Sequence, residues 1–306
     1  MEQHSKFRSV MDEPGQFDFY LVPGLSLEEQ RERKLRAVLI GAGNVAFHLA
    51  PALERAGICW VQVLSRNAEN AGALAARLRS KPAWGGLEVL EKDGLDMSAQ
   101  LYFLAVRDEA VPALASCLRE QAVLPQDRIL VHVSGALPLE VLKPDSGPCG
   151  VLYFLQTFSK SAPCPDFSRI PVCIEASDSP TLECLERLAR SLSGKVRVLD
   201  SRQRSFLHLG GVFACNYVNF MYTVAYDLFR EQGIDFSLLA PLMEETLRKA
   251  EANPPFAVQT GPAARGDAAV LARQEALLAS SETGRAYLEV YRLLAKAVQE
   301  RAGKKI

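Results

Sequence analysis

The order of apolar and polar positions changes character along this chain. Arg36–Ile40, Trp60–Leu64 and Leu101–Val106 are short apolar runs bounded by turn residues, the form of buried strands. Between them, Val45–Ala56, closed by Gly57, and Ala68–Leu78 carry helical periodicity. A weaker strand is expected near Leu87–Leu90. Asp108 is placed to cap a helix reaching Glu120, with Pro112 harmless in its first turn. Strands over Arg128–Val133, Gly150–Gln156, Val172–Glu175 and Val196–Leu199, with a helix over Thr181–Leu192, continue the alternation. Strands alternating with helices imply an α/β fold built on a doubly wound parallel sheet. Beyond residue 200 the pattern is helical only. The stretch 202–232 is apolar nearly all round and is therefore expected to be buried. A second helix, 236–252, ends at Asn253-Pro254-Pro255, and two more follow, broken at Ser280–Gly284.

Composition narrows the possibilities. The 306 residues are 48% hydrophobic and 23% charged, with a formal net charge of −1, which gives no basic surface for nucleic acid. No apolar run is long enough to cross a bilayer. The N-terminus lacks the basic start and apolar stretch of a secretory signal. Its segment Ser26–Lys34 reads as a short helix, with Ser26 as N-cap and Glu29 three residues on. The seven cysteines are scattered without a CxxC pair, and most read as small core residues of a cytoplasmic protein. No set of His, Cys and carboxylates has metal-ligand spacing, so no metal is expected.

The sharpest chemical signal follows the first strand: Val38-Leu39-Ile40-Gly41-Ala42-Gly43-Asn44-Val45-Ala46. Gly41 permits a tight turn, Gly43 lets backbone approach a pyrophosphate, and Ala46 takes the third small position, where helix and strand pack. The N–H groups at the start of the helix, including those of Asn44 and Val45, point toward the phosphates. This pattern predicts the dinucleotide loop of a Rossmann domain, the alternative being a glycine-rich turn in a Rossmann-like domain that binds nothing. Where NAD-binding versions carry a carboxylate after the second strand, this chain has Ser65 and Arg66, which suit the 2′-phosphate of NADP. The nicotinamide is expected over strand ends near Ala105-Val106-Arg107 and Ser134.

Reaction chemistry is expected from the long helix. His208, Asn216 and Asn219 fall within about 80° of one another on an ideal α-helix, and Gly210 and Gly211 leave room beside His208. Polar groups on a buried helix need partners. Either they satisfy a helix–helix contact, or they face a cleft between the domains. In a cleft, His208 would transfer a proton, with Asn216 and Asn219 orienting a carbonyl or imine. Gln156 and Thr157, leaving the end of a strand, and Arg265, in a glycine-rich loop before the N-cap Asp267, are further substrate-binding candidates. His48 and His132 read as structural.

Five segments in this order resemble a known family: Gly41 through Ala50, Val131 through Pro138, Leu155 through Ser159, His208 through Asn219, and Gln259 through Asp267. They look like the Rossmann-like proteins that carry a C-terminal "domain of unknown function 2520", described as NADP oxidoreductases. Pyrroline-5-carboxylate reductase, ketopantoate reductase and deazaflavin-dependent NADP reductase are wider relatives, which keeps a deazaflavin open as a second cofactor. The resemblance covers roughly residues 36–300 and implies an NADP-binding domain followed by an α-helical, dimeric domain; the chain pattern divides it into an NADP-binding Rossmann domain (36–200) and an α-helical domain (201–306) for substrate binding and homodimerisation, with residues 1–35 as an N-terminal extension outside the resemblance. The resemblance supplies no substrate. Where related hydroxyacid dehydrogenases use a Lys on their interdomain helix, this chain has His208. The expected function is hydride transfer between NADP(H) and a small carbonyl or imine. The rival is a non-catalytic NADP(H)-binding sensor or partner protein that keeps the fold, since fold alone does not decide activity.

Overall fold

A computed structural model describes residues 34–91, 94–121 and 124–303. The helix expected from Ser26 lies outside them. By contacts the chain divides into two compact units, one ending at Gly211 and the other beginning at Val212.

The first unit is built on an eight-stranded sheet. Its strands are β1 (Leu35–Ile40), β2 (Ile58–Leu64), β3 (Ala83–Gly85), β4 (Leu101–Leu104), β5 (Ile129–His132), β6 (Cys149–Phe154), β7 (Val172–Ala176) and β8 (Val196–Val198). They lie in the order β3-β2-β1-β4-β5-β6-β7-β8. All neighbours run parallel except β6 and β7. The chain starts in the middle, winds one way to β3, and returns to lay β4 beside β1. That reversal opens a crevice at the carboxyl ends of β1 and β4.

The two-residue period of the strands sorts the core into two layers. Leu39, Trp60, Phe103 and Leu152 join one buried cluster with Leu49 and Leu53 of α1 (Asn44–Arg55) and Leu185 and Leu188 of α4 (Ser179–Leu192). Val38, Ile40, Tyr102, Leu104 and Val151 face the other way and pack with Val111 and Leu118. Burying each large side chain contributes about 1.5–3 kcal/mol, so both layers hold the sheet in register. Helix α2 (Ala68–Ala75) is capped by Asn67, which accepts from the Asn70 N–H at 3.1 Å.

Three expectations are corrected. The edge strand is Ala83–Gly85, and Leu87–Glu91 is a 3-10 helix, because Gly85-Gly86 ends the extended run. The stretch after β4 is a 3-10 turn (Asp108–Ala110), then α3 (Val111–Ser116), then a π-turn (Cys117–Gln121). Asp108 caps none of it; its carboxylate accepts from the Ser134 hydroxyl at 2.9 Å. The long helix is continuous from Ser201 but not uniform: α5 (Ser201–Gly211) passes through a π-helical stretch (Val212–Tyr217) into α6 (Val218–Gln232). Nor is it buried. Arg204 is its one fully enclosed residue, while Phe206, Leu209, Phe213, Tyr217 and Phe220 are exposed. The neighbouring helices of one chain are too few to cover an all-round apolar helix.

Arg204 has no exposed side-chain surface. Its guanidinium pairs with the Glu175 carboxylate on β7 and donates to the Leu137 carbonyl. Ser201 adds to the same knot, donating its hydroxyl to Glu175 (2.9 Å) and accepting from the Leu139 N–H (2.8 Å).

In the second unit, α6 is followed by α7 (Ala240–Ala252), α8 (Pro262–Arg265), α9 (Ala268–Ser280) and α10 (Glu282–Ala302). Asp267 and Ser281 cap α9 and α10, accepting from Val270 N–H (3.1 Å) and Gly284 N–H (2.8 Å). The Tyr287 hydroxyl ties α10 to Asp227 of α6 at 2.6 Å. Among the described residues of this unit only Gly284 is buried. No described helix is long and apolar enough to cross a membrane.

Candidate functional site

A cleft of about 700 Å³ opens at the sheet reversal, and every residue lining it belongs to the first unit. Its floor is the glycine loop. Gly41 has φ +120°, and a Cβ there would lie 2.1 Å from the Ala105 carbonyl oxygen. Its N–H donates to the Leu64 carbonyl at 2.7 Å, so the loop crosses tightly between β2 and β4. Gly43 is the N-cap of α1 and offers no side-chain bond to the helix N–H groups. A Cβ on Gly43 would meet nothing within 4 Å and would project into open space. The first-turn amides of α1 are thus left to an anion in the cleft. Ala46 is fully buried and packs the helix onto the sheet rather than lining the cleft.

The other cofactor candidates fall around this floor. Asn44, Val45, Ser65, Arg66, Ala105, Val106, Arg107 and Ser134 all line the cleft. The Ser134 hydroxyl also accepts from the Ala136 and Leu137 N–H groups, each at 3.1 Å, which pins the turn after β5. Gln156 lines the cleft, with its amide oxygen accepting from the Thr157 N–H at 2.8 Å. Thr157 is exposed and does not line it.

His208 lies in the same cleft. Its Nδ1 is 3.1 Å from the Tyr153 hydroxyl, and the two rings meet edge to face at 5.9 Å between centroids. Burial pushes the Tyr153 phenol up to about 12, so it keeps its proton at neutral pH. Among the described residues, His208 Nε2 has no hydrogen-bond partner. Asn216 and Asn219 are placed otherwise. Both belong to the second unit and are exposed, Asn216 inside the π-helical stretch and Asn219 in the first turn of α6. The angular spacing to His208 assumed an unbroken α-helix, which the π-helical stretch interrupts. Arg265 is exposed at the end of α8, also in the second unit.

Several lining residues were not among the candidates: Tyr153, Asp108, Asn70, Phe158 and Lys160. Tyr153 had a readable signal, a hydroxyl in an otherwise apolar strand near its carboxyl end. Lys160 had none. It arrives because the segment after β6 folds back over α1, where the Lys160 N–H meets Asn44 Oδ1 (3.3 Å) and the Ser159 carbonyl meets His48 Nε2 (2.8 Å).

His132, at the end of β5, is fully enclosed. Its Nδ1 accepts from the Ser134 N–H at 3.1 Å, so the ring proton sits on Nε2. Burial, reinforced by the nearby Arg204 charge, pulls its pKa down to about 3. It is a neutral structural ring beside the cleft. The cysteines are all free thiols, and burial raises those of Cys149, Cys173 and Cys184, which makes them poor nucleophiles. Among the described residues no cluster of His, Cys and carboxylates could hold a metal.

Comparison with known proteins fits this geometry. Residues 23–152 match a Rossmann-like domain, and residues 170–298 match the domain of unknown function DUF2520. No curated protein matches. Among solved structures, a "putative NADP oxidoreductase" of Bacteroides fragilis is 36% identical, with TM-score 0.76 over 87% of this chain and 98% of its own. A Thermotoga maritima protein is 22% identical, with TM-score 0.63 over 87% of this chain and 98% of its own. An imine reductase variant of Myxococcus stipitatus in complex with NAD+ shares the fold at 14% identity, with TM-score 0.55 over 89% of this chain and 100% of its own. With the Bacteroides protein matched over nearly its whole length and both domains present in order, the chain belongs to the family of Rossmann-like proteins carrying a C-terminal domain of unknown function 2520.

Proposed function

We propose that this protein is an NADP-dependent oxidoreductase acting on a small carbonyl or imine. The observation that carries the reading is that one cleft joins an anion-ready glycine loop to an imidazole with a free ring nitrogen. The residues fit the dinucleotide: the uncapped start of α1 and the open space at Gly43 suit a pyrophosphate, and Ser65 and Arg66 suit a 2′-phosphate. When bound, the cofactor supplies or accepts the hydride. The chain's own part is to hold it, with Ala105 and Val106 walling the cleft at the end of β4, and to serve the substrate oxygen or nitrogen through His208 Nε2. The Bacteroides relative described as an NADP oxidoreductase supports the cofactor assignment. The test is NADPH oxidation against a panel of carbonyls and imines. His208→Ala should lower turnover by about 100-fold or more and spare NADPH affinity; a fully active variant would remove His208 from the chemistry.

The same proposal includes a homodimer through the helical unit. Phe213, Tyr217, Leu238, Leu242, Leu277 and Leu293 are all more than half exposed. Apolar exposure on that scale marks an interaction surface, and a second copy of the chain supplies a matching apolar surface to cover it.

A further inference from the structure

We infer that Tyr153 is a positioning residue that holds His208 as the Nε2–H tautomer, so that the cleft presents a fixed hydrogen-bond donor rather than a lone pair. The argument concerns which atom donates across the 3.1 Å contact between the Tyr153 hydroxyl and His208 Nδ1. Tyr153 is 8% exposed, and its hydroxyl has no other partner among the described residues. If Nδ1–H donated to the phenol, the phenol's own proton would have no protein acceptor among the described residues and would be left to whatever the cleft holds. If the phenol donates to a bare Nδ1, both groups are satisfied and the ring proton goes to Nε2. The raised phenol pKa agrees, since the group remains a donor across the neutral range.

A separate observation shows that the contact is built in. Gly135, buried in the turn after β5, lies against both rings: a Cβ there would sit 2.6 Å from Tyr153 Cζ and 2.8 Å from His208 Nδ1. Only glycine leaves the space in which the pair meets. For the substrate, resting on the reading that His208 faces it, the consequence is chemical. The group meeting Nε2–H in the resting site is an acceptor, a carbonyl oxygen or an unprotonated imine nitrogen, and not an iminium cation.

The test is nitrogen NMR of the protein labelled at histidine, without cofactor and at mildly alkaline pH, with His208→Ala identifying the signals. The expected result is a protonated-type Nε2 and an Nδ1 shifted as an acceptor, the Nδ1 shift being lost in Tyr153→Phe and in Gly135→Ala. A protonated Nδ1, or an Nδ1 signal that Tyr153→Phe leaves unmoved, overturns the assignment. Because Gly135→Ala could disturb folding, Tyr153→Phe carries the decision. In turnover, Tyr153→Phe should lower kcat about tenfold with unchanged NADPH affinity, and should add nothing in the His208→Ala background. Additive losses would overturn the coupling. If no substrate is turned over while the NMR result holds, the tautomer assignment stands and the enzymatic reading fails.

Discussion

Acidification should destabilise this protein well before its carboxylates protonate, and His132 sets the size of the effect. The folded ring has a pKa of about 3, because it is enclosed and lies near Arg204; the unfolded ring titrates at about 6.5. Between those values the unfolded chain binds a proton that the folded chain refuses. Stability therefore rises with pH across this window and is lost as pH falls through the unfolded pKa. Lowering pH from about 7.5 to about 4.5 should remove roughly 2–3 kcal/mol of unfolding free energy, from the ratio of the two binding polynomials. The carboxylates with depressed pKa values, Glu54 and Asp178 among those partly buried, lose their stabilisation only as pH falls below their ordinary values. The interval above about pH 4.5 is thus largely free of them. Urea unfolding at several pH values measures the slope. His132→Asn keeps an acceptor for the Ser134 N–H but cannot titrate, and should flatten the curve over this interval. A wild-type curve already flat there, or a variant as steep as wild type, would refute the reasoning.

Further outcomes follow from the cleft and the helical unit. Arg66→Ala should weaken NADPH by about 1–3 kcal/mol and leave NADH nearly unchanged, read by fluorescence titration of both cofactors; equal losses would mean that Arg66 does not sense the 2′-phosphate. Gly41→Ala combines a φ of +120° with a Cβ 2.1 Å from the Ala105 carbonyl, so it should lower Tm and abolish cofactor binding together, whereas Gly43→Ala, with open space around its Cβ, should cost binding and spare Tm. Light scattering at micromolar concentration should return twice the 33.6 kDa chain mass; a monomer would leave the exposed apolar residues of the helical unit without their proposed partner.

The parts of the fold legible in the sequence are those governed by local pattern. The strands β1, β2, β4, β5 and β6 each bury most of their side chains, so they appear as apolar runs, and the glycine loop is readable because its geometry admits few other residues. Errors arose where a contact distant in sequence decided the outcome. Asp108 has the look of a helix cap, but Ser134 captures its carboxylate. The wheel that sets Asn216 and Asn219 beside His208 assumes an unbroken α-helix, and the π-helical stretch between them, which leaves no mark in the apolar pattern, breaks that arithmetic. The apolar character of 202–232 predicts a helix that needs more cover than its neighbours in one chain supply, and in the single chain most of it is exposed. Tyr153 and Lys160 enter the site through strand pairing and a returning loop, and neither is local information.

The knot around Arg204 has a dynamic consequence. Arg204, Ser201 and Glu175 clamp the first turn of α5 to the sheet, with Leu137 and Leu139 completing the clamp. His208 follows one turn later, and among the described residues past Gly211 only Gly284 is buried. Amide protons near Arg204 should therefore exchange only when the whole sheet unfolds, whereas in a single chain those beyond Val212 escape through local openings of low free energy. His208 sits one turn beyond the anchor, where protection begins to fall.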